Sequence, residues 1–404
     1  MATDKNSGFS DSYRRYSAWA EQKSPLWYCA LIYGIGVAVA AFISLNRETL
    51  LPPNFENDTK TIFRFVNGVE NTPGSYKTTA EIYMALHLQD HSELAGLFGI
   101  LLASVCMGIA LWRCGGLPKG VVAPSLVIGY FVLAGAFLGT YTKEVVILAA
   151  LIVILLLPSK IYWDALAFLI LLGVGTFRPY WFLLSFGFLT LRGALLFKRR
   201  VPLFLAGQIG LCIAFSLAIF YVLGYPSDHF RSTVNEIRNP GDDDATTMIT
   251  RVVDVSSEPL GGLLNNLITV VSFLFPWPLF RLGDLYHVVC GLLFMFLWAI
   301  VFWSLWKTRN QNISFASRYV SILGGFLVVQ GLYEPDYGSA LRHLTPLIPL
   351  ILASFCITRG DHVEEADKSQ NEQFEITNEK SGRDKIESRE LHDEGELKAS
   401  NEFS

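Results

Sequence analysis

Residues 332–349 pack Glu334, Asp336, Arg342 and His343 into a short loop that runs straight into an apolar helix. The flanking chain is apolar enough to be membrane, where a charge at a helix centre costs at least ~2.5–3.5 kcal/mol. Two acids, a guanidinium and an imidazole at one helix end therefore define a candidate site. The alternative is a loop whose charges are solvated by water or headgroups, although loops are also the common carriers of function.

Three further groups hold residues that could do chemistry. In Asn54-Phe55-Glu56-Asn57-Asp58 two carboxylates stand at i and i+2, a spacing able to share a metal ion or a base role. Asn57 or Asp58 is equally a plain helix N-cap. Residues 59–65 continue as a candidate interfacial helix that would hold Asp58 near the lipid surface. Lys143-Glu144 lies in a very short turn between apolar runs, and Phe177-Arg178-Pro179-Tyr180-Trp181 forms the next turn on the same side. One reading pairs Glu144 with Arg178. The other makes Lys143 and Arg178 an anion pocket for a diphosphate, because Arg offers a bidentate fork and Lys a compact charge. Tyr180 and Trp181 read as an aromatic belt or as a sugar-stacking platform. Pro240-Gly241-Asp242-Asp243-Asp244 reads as a solvated turn, with a Ca²⁺ or Mg²⁺ contact as its alternative. Arg251, Asp254 and Glu258 follow in a segment expected along the interface.

The elements that must position these residues are helices in a bilayer. The 404 residues are 51% hydrophobic and only 17% charged, against about 25% charged in soluble domains. Apolar runs close to the ~20 residues that span a bilayer recur along the chain. The expected fold is all-α, a polytopic transmembrane bundle of about ten helices plus one re-entrant or interfacial segment. The helices are expected near 27–45, 94–112, 120–140, 145–157, 161–177, 180–197, 201–224, 286–306, 319–333 and 342–358. Leu263–Phe280 is the exceptional segment, since Asn265, Asn266, Pro276 and Pro278 make it a poor lipid-facing span. Residues 1–26 form a polar N-terminus, 27–358 the membrane domain with large loops 46–93 and 225–285, and 359–404 an acidic tail. From Asp361 to Ser404 it holds 14 Asp/Glu against 6 Lys/Arg, leaving residues 1–360 at +4 within a chain total of −4. Its composition predicts disorder. The first helix reads as an uncleaved anchor, because its full-length apolar run lacks a small-residue cleavage site.

The positive-inside rule then orients the bundle. Arg14, Arg15 and Lys23, Arg113 and Lys119, Lys160, residues 198–200, Lys307, Arg309 and Arg318, and Arg359 are all expected in the cytoplasm, with both termini. The candidate residues Asp58, Lys143, Glu144, Arg178, Tyr180, Glu334, Asp336, Arg342 and His343 then share the outer face. Asp164 and Arg192, near cytoplasmic helix ends, read as a pair or as snorkelling side chains. The six cysteines form no C-x-x-C pair and read as small core residues, with neither a zinc site nor a disulfide framework. No nucleotide fingerprint, Walker motif or nucleic-acid-binding stripe occurs.

Thr142-Lys143-Glu144, Phe177 to Trp181, and Tyr337-Gly338-Ser339-Ala340-Leu341-Arg342-His343 before a Pro-containing last helix resemble bacterial polysaccharide polymerases of the O-antigen and capsule type. The likeness covers the layout of residues 27–358 through short motifs. It implies a polyprenyl-diphosphate-linked glycan as substrate in the outer leaflet, the lipid bilayer as environment, and other polysaccharide-assembly proteins as neighbours. It also implies Arg178 and Arg342 as phosphate ligands with Lys143 in support, and His343, Glu334 or Asp336 as the base. No cofactor is implied, and a divalent cation is left open. The 225–285 loop is smaller than the large late loop of such polymerases. Glu56-Asn57-Asp58 meanwhile looks like the acidic first-loop motif of GT-C glycosyltransferases, which take a sugar from a polyprenyl phosphate. A transporter or flippase is the third class, and it would need deep charges, broken helices and internal repeats.

Overall fold

In hydrocarbon a backbone group has no partner but the chain itself, so an apolar run of this length settles as helix. The computed structural model describes residues 23–197, 200–237, 247–254, 258–308 and 315–356. These are helices and turns, with two isolated β-bridges and no strand among the described residues. The tail 359–404, residues 1–22 and the acidic turn 240–244 lie outside them.

In chain order the helices are α1 (Leu26–Leu45), α2 (Asn57–Val66), α3 (Ser75–Ala85), α4 (Ser92–Arg113), α5 (Val122–Phe137), α6 (Glu144–Leu156), α7 (Trp163–Phe177), α8 (Tyr180–Ala194), α9 (Arg200–Leu223), α10 (His229–Ile237), α11 (Leu260–Leu274), α12 (Trp277–Leu282), α13 (Leu285–Thr308), α14 (Phe315–Tyr333) and α15 (Tyr337–Leu344). A 3-10 turn, Thr345–Leu347, carries α15 on into residues 348–356. Among the described residues six helices are long and apolar enough to cross a membrane: α1, α4, most of α9 and α13, α14, and the run Tyr337–Cys356. The apolar helices α5, α6, α7 and α11 are shorter.

Three local features differ from expectation. The last helix starts at Tyr337 rather than 342, because the Asp336 carboxylate caps it by accepting from the Ser339 N–H at 2.6 Å. Arg342 and His343 therefore ride inside a helix. Loop 46–93 carries two helices, the amphipathic α2 and the less polarised α3. The Leu263–Phe280 segment is not one element: α11 breaks at Phe275-Pro276 and restarts as α12. α11 and α12 contact one end of the bundle throughout. Asn265 meets Asp228 just before α10, Phe273 meets Tyr337 at the start of α15, and Phe280 packs under Gly291 near the start of α13.

Lipid tails are as apolar as leucine, so helix association here relies on close van der Waals approach. A Cβ on Gly99 of α4 would lie 2.0 Å from the Leu138 carbonyl oxygen, and one on Gly135 of α5 would lie 2.9 Å from the Ala40 carbonyl of α1. α14 is the core helix, buried from Ala316 to Leu332.

Polar side chains gather at the two ends of the same helices. At one end Asp164, starting α7, binds Arg192 of α8 at 2.7 Å and Arg318 of α14 at 2.5 Å. Arg318 also donates to the Pro158 carbonyl, and Arg113 of α4 to the carbonyls of Leu155 and Leu156, which close α6. Arg192 and Asp164 thus pair, as one sequence reading had it, and Arg318 completes the cluster. At the other end of α6, α7, α8 and α14 lie the candidate residues.

Candidate active site

Each candidate side chain sits where a helix starts or stops. Glu144 opens α6 and Lys143 precedes it, Arg178 follows α7, Tyr180 opens α8, Glu334 follows α14, and Arg342 and His343 face inward from α15. α2 brings Asp58 across these ends. Asp58 caps nothing: the residue ahead of α2 is Glu56, and the Asp58 carboxylate turns to its neighbours. It lies 3.1 Å from the Arg342 guanidinium and 3.6 Å from the Lys143 ammonium, and accepts from the Tyr76 hydroxyl at 2.7 Å. Lys143 in turn stands 3.7 Å over the Tyr76 ring.

Behind this group, Arg178 donates to Glu144 at 2.7 Å and to the Tyr180 hydroxyl at 2.8 Å. The pair is almost fully buried, at 4% and 1% side-chain exposure. His343 Nδ1 and Glu334 Oε1 are 2.5 Å apart. With the proton on Nδ1, Nε2 is left as an acceptor, 3.4 Å from an Arg342 nitrogen and 3.6 Å from Glu144. The Tyr180 ring lies 6.3 Å from the imidazole.

Charge and burial set the ionisation. Burial alone would raise the Asp58 carboxyl, but Arg342 and Lys143 outweigh it and hold the group well below the usual carboxylate range. Burial pushes the Lys143 ammonium down to about 8, with Asp58 opposing part of that fall. For Arg178 burial pulls downward and Glu144 more than reverses it, keeping the guanidinium charged. Burial opposes ionisation of Glu334 as well, and His343 carries it below its ordinary value.

Of the sequence candidates, Asp58, Lys143, Glu144, Arg178, Tyr180, Glu334, Arg342 and His343 form one contiguous cluster. Asp336 is occupied as the cap of α15. Glu56 pairs with Lys60 on the surface at 3.7 Å, so the two carboxylates of the first-loop motif serve different partners. Among the described residues no group of three His, Cys, Asp or Glu could hold a metal ion. Tyr76 was missed, although Tyr76, Ala80 and Tyr83 stand at helical spacing and all face inward. The Glu144 Oε2, Glu334 Oε2 and Arg342 Nε atoms are buried and make no hydrogen bond within the protein. Such an atom calls for a partner, which a ligand, a water or a reacting group can supply. Comparison of the chain with protein-family models, with curated proteins and with solved structures finds no match in any of the three.

Proposed function

We propose that this chain is a membrane-embedded glycosyltransferase that polymerises polyprenyl-diphosphate-linked oligosaccharide units at the outer face. The observation that carries the reading is the Glu334–His343 pair set beside Arg342, with three buried polar atoms around it unmatched within the protein. The acceptor hydroxyl gives its proton to His343 Nε2, while Glu334 holds Nδ1–H and balances the imidazolium. The oxygen attacks the anomeric carbon, the bond to the diphosphate breaks, and negative charge develops on the leaving group. Arg342 and Lys143, both partly exposed, face that charge in a low-dielectric setting. Arg178 stands behind them as the counter-ion of Glu144 rather than as a phosphate ligand. Asp58 is too weak a base for the proton transfer and serves as the resting counter-charge of Arg342 and Lys143. This favours the polymerase reading over the GT-C reading, which needs Asp58 as the working acid.

The proposal includes a topology. Ten helices cross, counting α5, α6, α7 and α8 as short spans. α11 and α12 stay in the outer half, which agrees with their contacts at the site end alone. Both termini and the Asp164 cluster are cytoplasmic, as the positive-inside rule requires. The test of function is the size of surface polysaccharide in cells lacking the chain. Single repeat units on their carrier are expected, and full-length polymer missing one substituent would favour a monosaccharide transferase instead.

A further inference from the structure

A second polar cluster, with no part in the chemistry above, lies against the backbone that carries Glu334. Residues 247–254 cross the link between α14 and α15 as a short strap. The Ile249 N–H donates to the Pro335 carbonyl at 2.9 Å, and Met248 forms an antiparallel bridge with Asp336. The strap is held from its other side by α10 and α11. Arg251 makes a two-pronged bond to the Asp228 carboxylate, at 2.8 and 3.0 Å, and Asn235 donates to the Ile249 carbonyl at 3.1 Å. The Asn265 side-chain oxygen accepts from the N–H groups of both Val252 and Val253, and its amide donates to the Val253 carbonyl. Arg231 is 1% exposed; it lies 3.7 Å from Asp228 and donates to the Gly331 carbonyl, three residues before Glu334.

These bonds have one common object. Pro335 donates no N–H, and the Glu334 N–H, bonded to the Gln330 carbonyl at 3.0 Å, makes the last helical bond of α14, so no helix holds the chain beyond Glu334 until α15 begins at Tyr337. Asp336 is already committed to capping α15. The position of the Glu334 carboxylate relative to His343 is thus set by what grips the backbone on either side, and the strap grips Pro335 and Asp336 while Arg231 grips Gly331. We propose that Asp228, Arg251 and Asn265 are positioning residues that lock the strap and through it hold Glu334 against His343. The idea rests on reading Glu334–His343 as the working pair, and it adds residues that touch neither substrate nor imidazole.

Arg251 is the residue to change, because its partly exposed side chain leaves no buried void when shortened and Asp228 keeps Arg231 as a partner. A displacement of about 1 Å at a reacting group costs on the order of a hundredfold in rate. Arg251→Ala should therefore lower kcat about ten- to a hundredfold with the donor KM unchanged, and Arg251→Lys should restore part of it. In combination with Glu334→Gln, Arg251→Ala should add no further loss, since both act on one carboxylate. A second readout needs no turnover: carbethoxylation of His343 by diethylpyrocarbonate, followed by peptide mass spectrometry on the membrane-embedded protein. Arg251→Ala should speed labelling of His343 several-fold while the exposed His87 and His91 react as before. Unchanged His343 reactivity, or losses that multiply in the double variant, would overturn the proposal. If the wild-type protein transfers no sugar, the polymerase reading fails by itself, and the labelling rates still decide whether the strap holds the pair.

Discussion

At the scale of the residue, the site is a set of matched charges with two members poised to leave the balance. His343 has a carboxylate on one nitrogen and the Arg342 guanidinium 3.4 Å from the other, and in the proposed reaction an acceptor hydroxyl takes the place of that guanidinium at Nε2. Its replacement by Ala should cut transfer by about 10²–10⁴-fold, the usual contribution of a general base. Asp58→Asn should cost clearly less than His343→Ala, because in this reading Asp58 balances Arg342 and Lys143 and takes no proton. The ratio of the two losses, measured with purified lipid-linked substrate, separates the polymerase from the GT-C reading, and a larger loss for Asp58→Asn would sink the former. Lys143 supplies a pH dependence. Its ammonium titrates near 8, so its charge is present below that pH and lost above it. The donor KM should stay flat from pH 6 to 7 and rise as pH passes about 8. Lys143→Arg, which stays charged, should remove the rise.

At the scale of the element, helix ends and glycines carry the argument. The Asp164 cluster ties the end of α6 and the starts of α7 and α14 together through two guanidiniums on one carboxylate. Removing the shared acid leaves both cations buried without their counter-ion. Asp164→Asn should destabilise the bundle by about 3–5 kcal/mol, read as a lower thermal midpoint in detergent. The site geometry at the far end should survive in whatever fraction folds. Gly99→Val tests helix approach: its Cβ would fall well inside contact distance of the Leu138 carbonyl, so α4 and α5 must separate. Of the two helices in loop 46–93 only part of α2, residues 59–65, was legible in the sequence; the place of Tyr76 was not, because it packs on a carboxylate from a different helix.

For the whole molecule, polar clusters at opposite ends of shared helices give the bundle a polarity, and the proposed orientation puts the Asp164 end in the cytoplasm. In a background lacking the native cysteines, a cysteine at His87 should react with an impermeant maleimide on intact cells, and one at Lys160 only after permeabilisation. Labelling of the Lys160 position from outside would overturn the proposed topology, and with the His87 position protected it would reverse it.

The sequence by itself determined the class of molecule, because long apolar runs leave helix as the only conformation that satisfies the backbone in lipid. It also identified most of the charged residues at issue, since a charge beside such runs is rare enough to stand out. Only the tertiary structure decided what they do together. Asp58 and Arg342 meet because α2 folds back over helix ends far away in the chain, and no local spacing encodes that contact. The same holds for Arg178, whose burial against Glu144 removes it from the accessible edge, and for the Asp336 carboxylate, which a single backbone N–H turns from a candidate base into a cap. The side chains were legible one by one, and their partners were not, because ion pairing inside a bundle depends on which helix ends the packing brings within a few ångströms.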